Sequence, residues 1–107
     1  MTKEGKQELL RRVKGLLAEA YGDRLQGVIL YGSEARGEAE EDSDLDFLVL
    51  LQGPVDYGKE LLIIIKTLYG LQLEVLRPLD ALPVDVNAYN AQDRPLYENA
   101  RREGILA

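Results

Sequence analysis

Leu30-Tyr31-Gly32-Ser33-Glu34-Ala35-Arg36-Gly37 and, a short acidic stretch later, Asp42-Ser43-Asp44-Leu45-Asp46-Phe47 are the two halves of the segment that decides how this chain folds. Val28-Ile29-Leu30-Tyr31 is short and apolar throughout, the pattern of a central strand buried on both faces. Gly32-Ser33 breaks it and leads into Glu34-Ala35-Arg36, which can begin a helix. Leu45-Asp46-Phe47-Leu48-Val49-Leu50-Leu51 is a second buried strand that carries a carboxylate near its start.

Asp44 and Asp46 are two apart, so on a strand their side chains share a face. At ~3.3 Å per residue their backbones lie about 6–7 Å apart. Two negative charges at that distance repel by roughly 2–3 kcal/mol at an effective dielectric near 20. Inside an otherwise apolar strand the arrangement has no structural benefit. A divalent cation between the two reverses its sign, and all-oxygen ligands favour magnesium or manganese over zinc. Beside them, Gly32 lets the backbone approach a ligand closely, and Ser33 with helix-start amides can donate to phosphate oxygens. A cation site next to phosphate donors is the equipment of phosphoryl or nucleotidyl transfer.

Working outward, Leu9, Leu10, Val13, Leu16, Leu17 and Ala20 form an apolar stripe at helical spacing over residues 4–20, closed by Tyr21-Gly22-Asp23. After Gln52-Gly53-Pro54, a long helix is expected from about Asp56 to Leu76. Its core face is read as Leu61, Ile65, Leu68 and Val75, widened by Leu62, Ile64 and Tyr69. Arg77-Pro78 ends it, and Leu79–Val86 is a third strand that Pro83 places near a sheet edge. Asp93 and Pro95 open a last short helix, Gly104 stops it, and Ile105-Leu106 adds a brief strand. The alternation is that of an α/β (α+β) chain, a small mixed sheet flanked by helices, organised as one domain over residues 1–107.

The 107 residues leave little room for a separate substrate domain, so part of the surface that binds a large acceptor must come from the acceptor or a partner. The net charge of −6 is a poor footprint for gripping a nucleic-acid backbone. With no cysteine and no histidine, thiolate nucleophiles, histidine bases and the usual zinc ligands are excluded, and chemistry must run on carboxylates, hydroxyls, cationic side chains, amides or bound ions. The longest apolar run, Leu61–Ile65, falls far short of the ~20 residues that span a bilayer. The expectation is a cytoplasmic protein with no membrane association.

Gly32-Ser33, ten intervening residues, then Asp44-x-Asp46 in a hydrophobic strand resembles the signature of the polymerase-beta-like nucleotidyltransferases. The fuller string, from Gly32-Ser33-x-Ala35-Arg36-Gly37 through Ser43-Asp44-Leu45-Asp46, looks like their smallest members, the minimal nucleotidyltransferase (MNT) family. The resemblance implies that Gly32 and Ser33 hold the triphosphate of ATP, that Arg36 sits near a phosphate, and that Asp44 and Asp46 bind Mg2+ or Mn2+ with a third carboxylate from the next strand. Asp80 in Leu79-Asp80-Ala81-Leu82 matches that third place better than Asp85 in Val84-Asp85-Val86; the spacing leaves both open. Glu34 departs from the family, whose members often carry a basic or aromatic residue there; it adds negative charge beside the triphosphate or points to solvent.

Many MNT proteins are antitoxins of HEPN-family toxins, so the resemblance implies transfer of AMP to a tyrosine of such a partner. The alternative is an antitoxin that neutralises its partner by binding alone. A third, transfer to a small molecule, fits longer relatives with their own substrate domain. A pairing of copies through an exposed sheet edge near Pro83 or Ile105 is also open. Among competing readings of single features, Asp42, Asp44 and Asp46 mimic the opening of a calcium-binding EF-hand loop, but Phe47 and Gly53 stand where that loop needs glycine and glutamate. Arg36 has Glu40 as an alternative partner four residues on, and Tyr97, Arg101 and Arg102 are read as a partner surface, the adenine side of the pocket, or a solvated face.

Overall fold

Thr2 begins the first helix: its hydroxyl accepts a hydrogen bond from the Gly5 amide at 3.0 Å, satisfying one of the free donors at the start of α1 (Lys3–Tyr21). In the computed structural model, which describes residues 1–38 and 43–107, α1 buries Leu9, Leu10, Val13 and Leu17 along one stripe. Gly22 ends it at φ 58°, and a single 3-10 turn leads into β1 (Leu25–Tyr31). The short α2 (Gly32–Arg36) follows directly, then β2 (Leu45–Leu51), α3 (Tyr57–Glu74), β3 (Leu79–Asp85), α4 (Val86–Ala91), α5 (Pro95–Glu103) and β4 (Ile105–Leu106).

The strands form one mixed sheet in the order β3-β2-β1-β4. β1 is antiparallel to β2 and to β4, whereas β2 and β3 run parallel. A parallel pair needs a crossover, and α3 supplies it. Both faces of the central strands are covered, which is why β1 and β2 read as nearly continuous apolar runs. On one face Val28, Leu30, Phe47, Val49 and Leu51 pack with Leu10, Val13 and Leu17 of α1 and Ile64, Leu68 and Leu71 of α3. On the other, Ile29, Leu48, Leu50 and Val84 pack with Tyr89 of α4 and Ala100 of α5.

The core face of α3 differs from the sequence expectation. Asp56 caps the helix as expected, accepting from the Lys59 amide at 3.3 Å. Its buried stripe is Glu60, Ile64, Leu68 and Leu71, while Leu62 (53 % exposed), Ile65 (54 %) and Tyr69 (60 %) face outward. The helix is apolar on most of its circumference, so periodicity alone cannot orient it. The partners of buried Glu60 do: its carboxylate receives Arg24 Nη2 at 3.1 Å and the Tyr21 hydroxyl at 3.1 Å. Arg24 also donates to the carbonyls of Gln52 and Pro54, fastening the β2–α3 loop to the end of α1.

The third strand is an edge strand as Pro83 implies, but without a bulge: its register with β2 is unbroken from Leu45↔Leu79 to Leu51↔Asp85. It ends one residue early because Asp85 starts another element. The Asp85 carboxylate accepts from the Asn87 amide at 2.8 Å and caps α4, a helix the sequence reading passed over. Pro95 opens α5 and Gly104 closes it, after which Ile105-Leu106 pairs with β1 at the opposite edge. Among the described residues no helix is long and apolar enough to cross a membrane.

Candidate active site

Strand register assembles the site. Tyr31 lies opposite Asp46 in the antiparallel β1–β2 ladder, and Asp46 lies opposite Asp80 in the parallel β2–β3 ladder. Tyr31, Asp46 and Asp80 thus form a row across three strands, on the face that carries Leu48, Leu50 and Val84 further along the sheet. Asp44, exposed, precedes β2 by one residue. Burial, followed by the charges of Asp80 and Asp44, pushes the half-buried Asp46 carboxyl above the usual aspartate range; the Arg36 charge acts weakly in the opposite direction. Burial and then the charges of Asp46 and Asp80 push the Tyr31 hydroxyl up to about 12, so it stays protonated.

Gly32 sits against this row. Its φ is +77°, and a Cβ there would fall 2.6 Å from Asp46 Oδ2. Only glycine combines that backbone conformation with that approach. Ser33 follows, half-buried, in a helix of five residues closed by Gly37 at φ 74°. A helix this short builds little macrodipole, so the donors beside the carboxylates are the local amides and the Ser33 hydroxyl.

Behind the turn, Glu34 is buried, 4 % exposed. Arg77 Nη1, from the segment between α3 and β3, hydrogen-bonds its carboxylate, and Lys6 Nζ of α1 lies 3.5 Å away. Burial pushes the Glu34 carboxyl up, but the Arg77 hydrogen bond and charge, with the N-terminal amine and Lys6, outweigh it and hold the group below the usual range. Arg77 Nε also donates to the Ser43 carbonyl at 2.7 Å.

A family model described as a nucleotidyltransferase domain matches residues 10–104. The chain belongs to the nucleotidyltransferase domain family. The candidate protein adenylyltransferase MJ0141 of Methanocaldococcus jannaschii is 36% identical over 70 residues, covering 64% of this chain and 71% of that protein. A solved candidate minimal nucleotidyltransferase superposes with a TM-score of 0.59 at 29% identity, over 98% of this chain and 95% of that one. The crystal structure of a toxin–antitoxin with AMP-PNP superposes with a TM-score of 0.64 at 21% identity, over 91% of this chain and 70% of that one, a likeness of fold. The mixed sheet flanked by helices is therefore the nucleotidyltransferase fold, and the protein is a nucleotidyltransferase.

The nucleotidyltransferase brings Gly32, Asp46 and Asp80 together, with Ser33 and Asp44 adjoining. Asp85 is at the far end of β3, opposite Leu51, committed to its helix cap. Arg36 pairs with Glu38 at 3.2 Å and Glu103 at 3.5 Å, linking α2 to α5; its alternative partner Glu40, like Asp42, lies outside the described residues. Glu34 does not point to solvent: it is buried and its charge is matched by Arg77 and Lys6. Tyr97 packs on Tyr89 with ring centroids 5.9 Å apart, and Arg101 lies 5.1 Å above the Tyr89 ring, so both belong to the packing of α5 against α4. Arg77 was missed because Arg77-Pro78 read only as a helix stop; a lone charge between Leu76 and Leu79 was the available signal. Among the described residues, no three acidic side chains converge as they stand on one ion position. The oxygen donor set still fits magnesium, which is usually held by one or two carboxylates with substrate phosphates completing the shell.

Proposed function

We propose that this nucleotidyltransferase transfers AMP from ATP to a tyrosine hydroxyl of a partner toxin of the HEPN family, and so acts as its antitoxin. Carrying this reading is the row Tyr31–Asp46–Asp80 with Gly32 pressed against Asp46. Asp44, Asp46 and Asp80 would hold Mg2+ or Mn2+, and Gly32 and Ser33 would seat the triphosphate, with Arg36 nearby. The bound cations supply charge neutralisation and Lewis acidity at the phosphates. The acceptor oxygen bonds to the α-phosphorus, the bond to the bridging oxygen breaks, and pyrophosphate leaves; the hydroxyl proton passes to the carboxylate row. Tyr31 keeps its proton and so adds no further negative charge beside the triphosphate.

Protein acceptors are supported by the relatives, which carry the name protein adenylyltransferase, and the toxin partner by the toxin–antitoxin assemblies among the structural neighbours, one holding AMP-PNP. A second reading, neutralisation by binding alone, is favoured by one observation: Leu62, Ile65, Tyr69 and Leu73 leave an exposed apolar stripe on α3. Incubation of the protein with α-labelled ATP, Mg2+ and the product of the adjacent gene separates the two. Label on the toxin that vanishes with Asp44→Asn/Asp46→Asn supports transfer. Unlabelled toxin held equally by both forms overturns transfer and leaves binding.

A further inference from the structure

The candidate site is made of two pieces on consecutive elements, separated by ten residues in the chain: the Gly32-Ser33 turn, and the Asp44–Asp46 entry to β2. Their spacing must be held if phosphate and cation are to be gripped together. One side chain touches both pieces. Arg77 Nε donates to the carbonyl of Ser43, the residue before Asp44, at 2.7 Å. Its Nη1 donates to Glu34, the residue after Ser33. The side chains involved are sequestered, Arg77 at 12 % and Glu34 at 5 % exposure. Lys6 of α1 holds the other Glu34 oxygen at 3.5 Å.

We infer that Arg77 and Glu34 are positioning residues: their fork-shaped ion pair sets the separation between the phosphate-binding turn and the metal-binding strand, and with it the affinity for the metal–nucleotide complex. The inference rests on the nucleotidyl-transfer reading of the site. A planar guanidinium can bond a carbonyl and a carboxylate at once in fixed geometry, which an ammonium cannot. The arrangement also has a cost that a purely structural tie would avoid: Arg77 Nη2 is buried with no hydrogen-bond partner among the described residues. Two apolar residues could fill the same space without an orphaned donor. What they could not do is hold the Ser43 carbonyl and α2 in register.

The test is calorimetric titration of the folded protein with a non-hydrolysable ATP analogue and Mg2+, below the unfolding temperature of every variant. Asp46→Asn reports on the site itself. Arg77→Lys keeps the charge but loses the fork, and Glu34→Gln/Arg77→Met removes both charges while keeping the volume. Arg77→Lys is expected to bind the complex about 10- to 100-fold more weakly, the usual effect of losing a group that orients ligands. The double variant is expected to recover thermal stability without recovering affinity. A double variant that binds as tightly as the native chain, while Asp46→Asn does not bind, overturns the positioning role and leaves the site intact. A native chain that fails to bind, or an Asp46→Asn variant that binds equally well, overturns the reading of the site and the clamp with it.

Discussion

Asp46 and Asp80 face each other across the parallel ladder of β2 and β3, the two strands joined by α3. Like charges in adjacent places on a sheet repel, and here the Asp80 and Asp44 charges add to burial in raising the Asp46 carboxyl. Asp85, with similar sequence surroundings, sits at the other end of the same strand and caps α4. The two aspartates therefore separate by experiment. Asp80→Ala is expected to lower nucleotidyl transfer by about 10- to 100-fold with the fold intact. Asp85→Ala is expected to cost about 1 kcal/mol of stability through the lost cap and to leave transfer unchanged. Urea unfolding and labelled-ATP assays on both variants check this.

Metal-free stability should pass through a maximum on the acid side of neutrality. The Asp46 carboxyl has a raised value in the folded state, so its ionisation opposes folding, and that penalty is relieved as pH falls through its folded value. Glu34 and Glu60 have lowered values, so their support is present above about pH 4.5 and is lost as pH falls through their folded values. Asp46→Asn should raise the unfolding midpoint at pH 7, since it removes a carboxylate whose ionisation opposes folding. It should leave the acid limb in place. Urea titrations from pH 3 to 8 in the presence of a chelator would show a flat profile above pH 4.5 if the carboxylate row were relaxed.

Gly32→Ala combines two penalties: a left-handed backbone, worth about 1–2 kcal/mol, and a methyl group 2.6 Å from Asp46 Oδ2. The expected result is a folded protein, somewhat less stable, that no longer binds the ATP analogue with Mg2+. Unchanged affinity in a folded variant would remove Gly32 from the site.

The orientation of α3 can be read from a pair of neighbours. Ile64, at 1 % exposure, belongs to the core, whereas Ile65 faces outward. Ile64→Ala should cost about 2–5 kcal/mol, and Ile65→Ser within about 0.5 kcal/mol. Equal costs would mean that Ile65 also packs against something, in a second copy or a partner.

Much of the site is legible in the residues. Gly32-Ser33 after an apolar strand and two carboxylates at the head of another are local facts: strand burial demands the apolar runs, and a charged pair inside them demands a ligand. The placing of Pro83 on an edge strand is equally local, because a residue without an amide proton cannot serve a central ladder. What the sequence by itself determined, then, are the strands and the glycine and carboxylates displayed at their ends. Tertiary structure alone decided the rest. Which of Asp80 and Asp85 lies beside Asp46 depends on the register of β3 against β2, a non-local pairing that no spacing encodes. The core face of α3 depends on Glu60 meeting Arg24 and Tyr21, since an all-round apolar helix carries no directional signal. Glu34 reads as an intruding charge until Arg77, 43 residues away, is seen to neutralise it. A charge is costly or harmless according to what faces it, and that is fixed only when the chain closes.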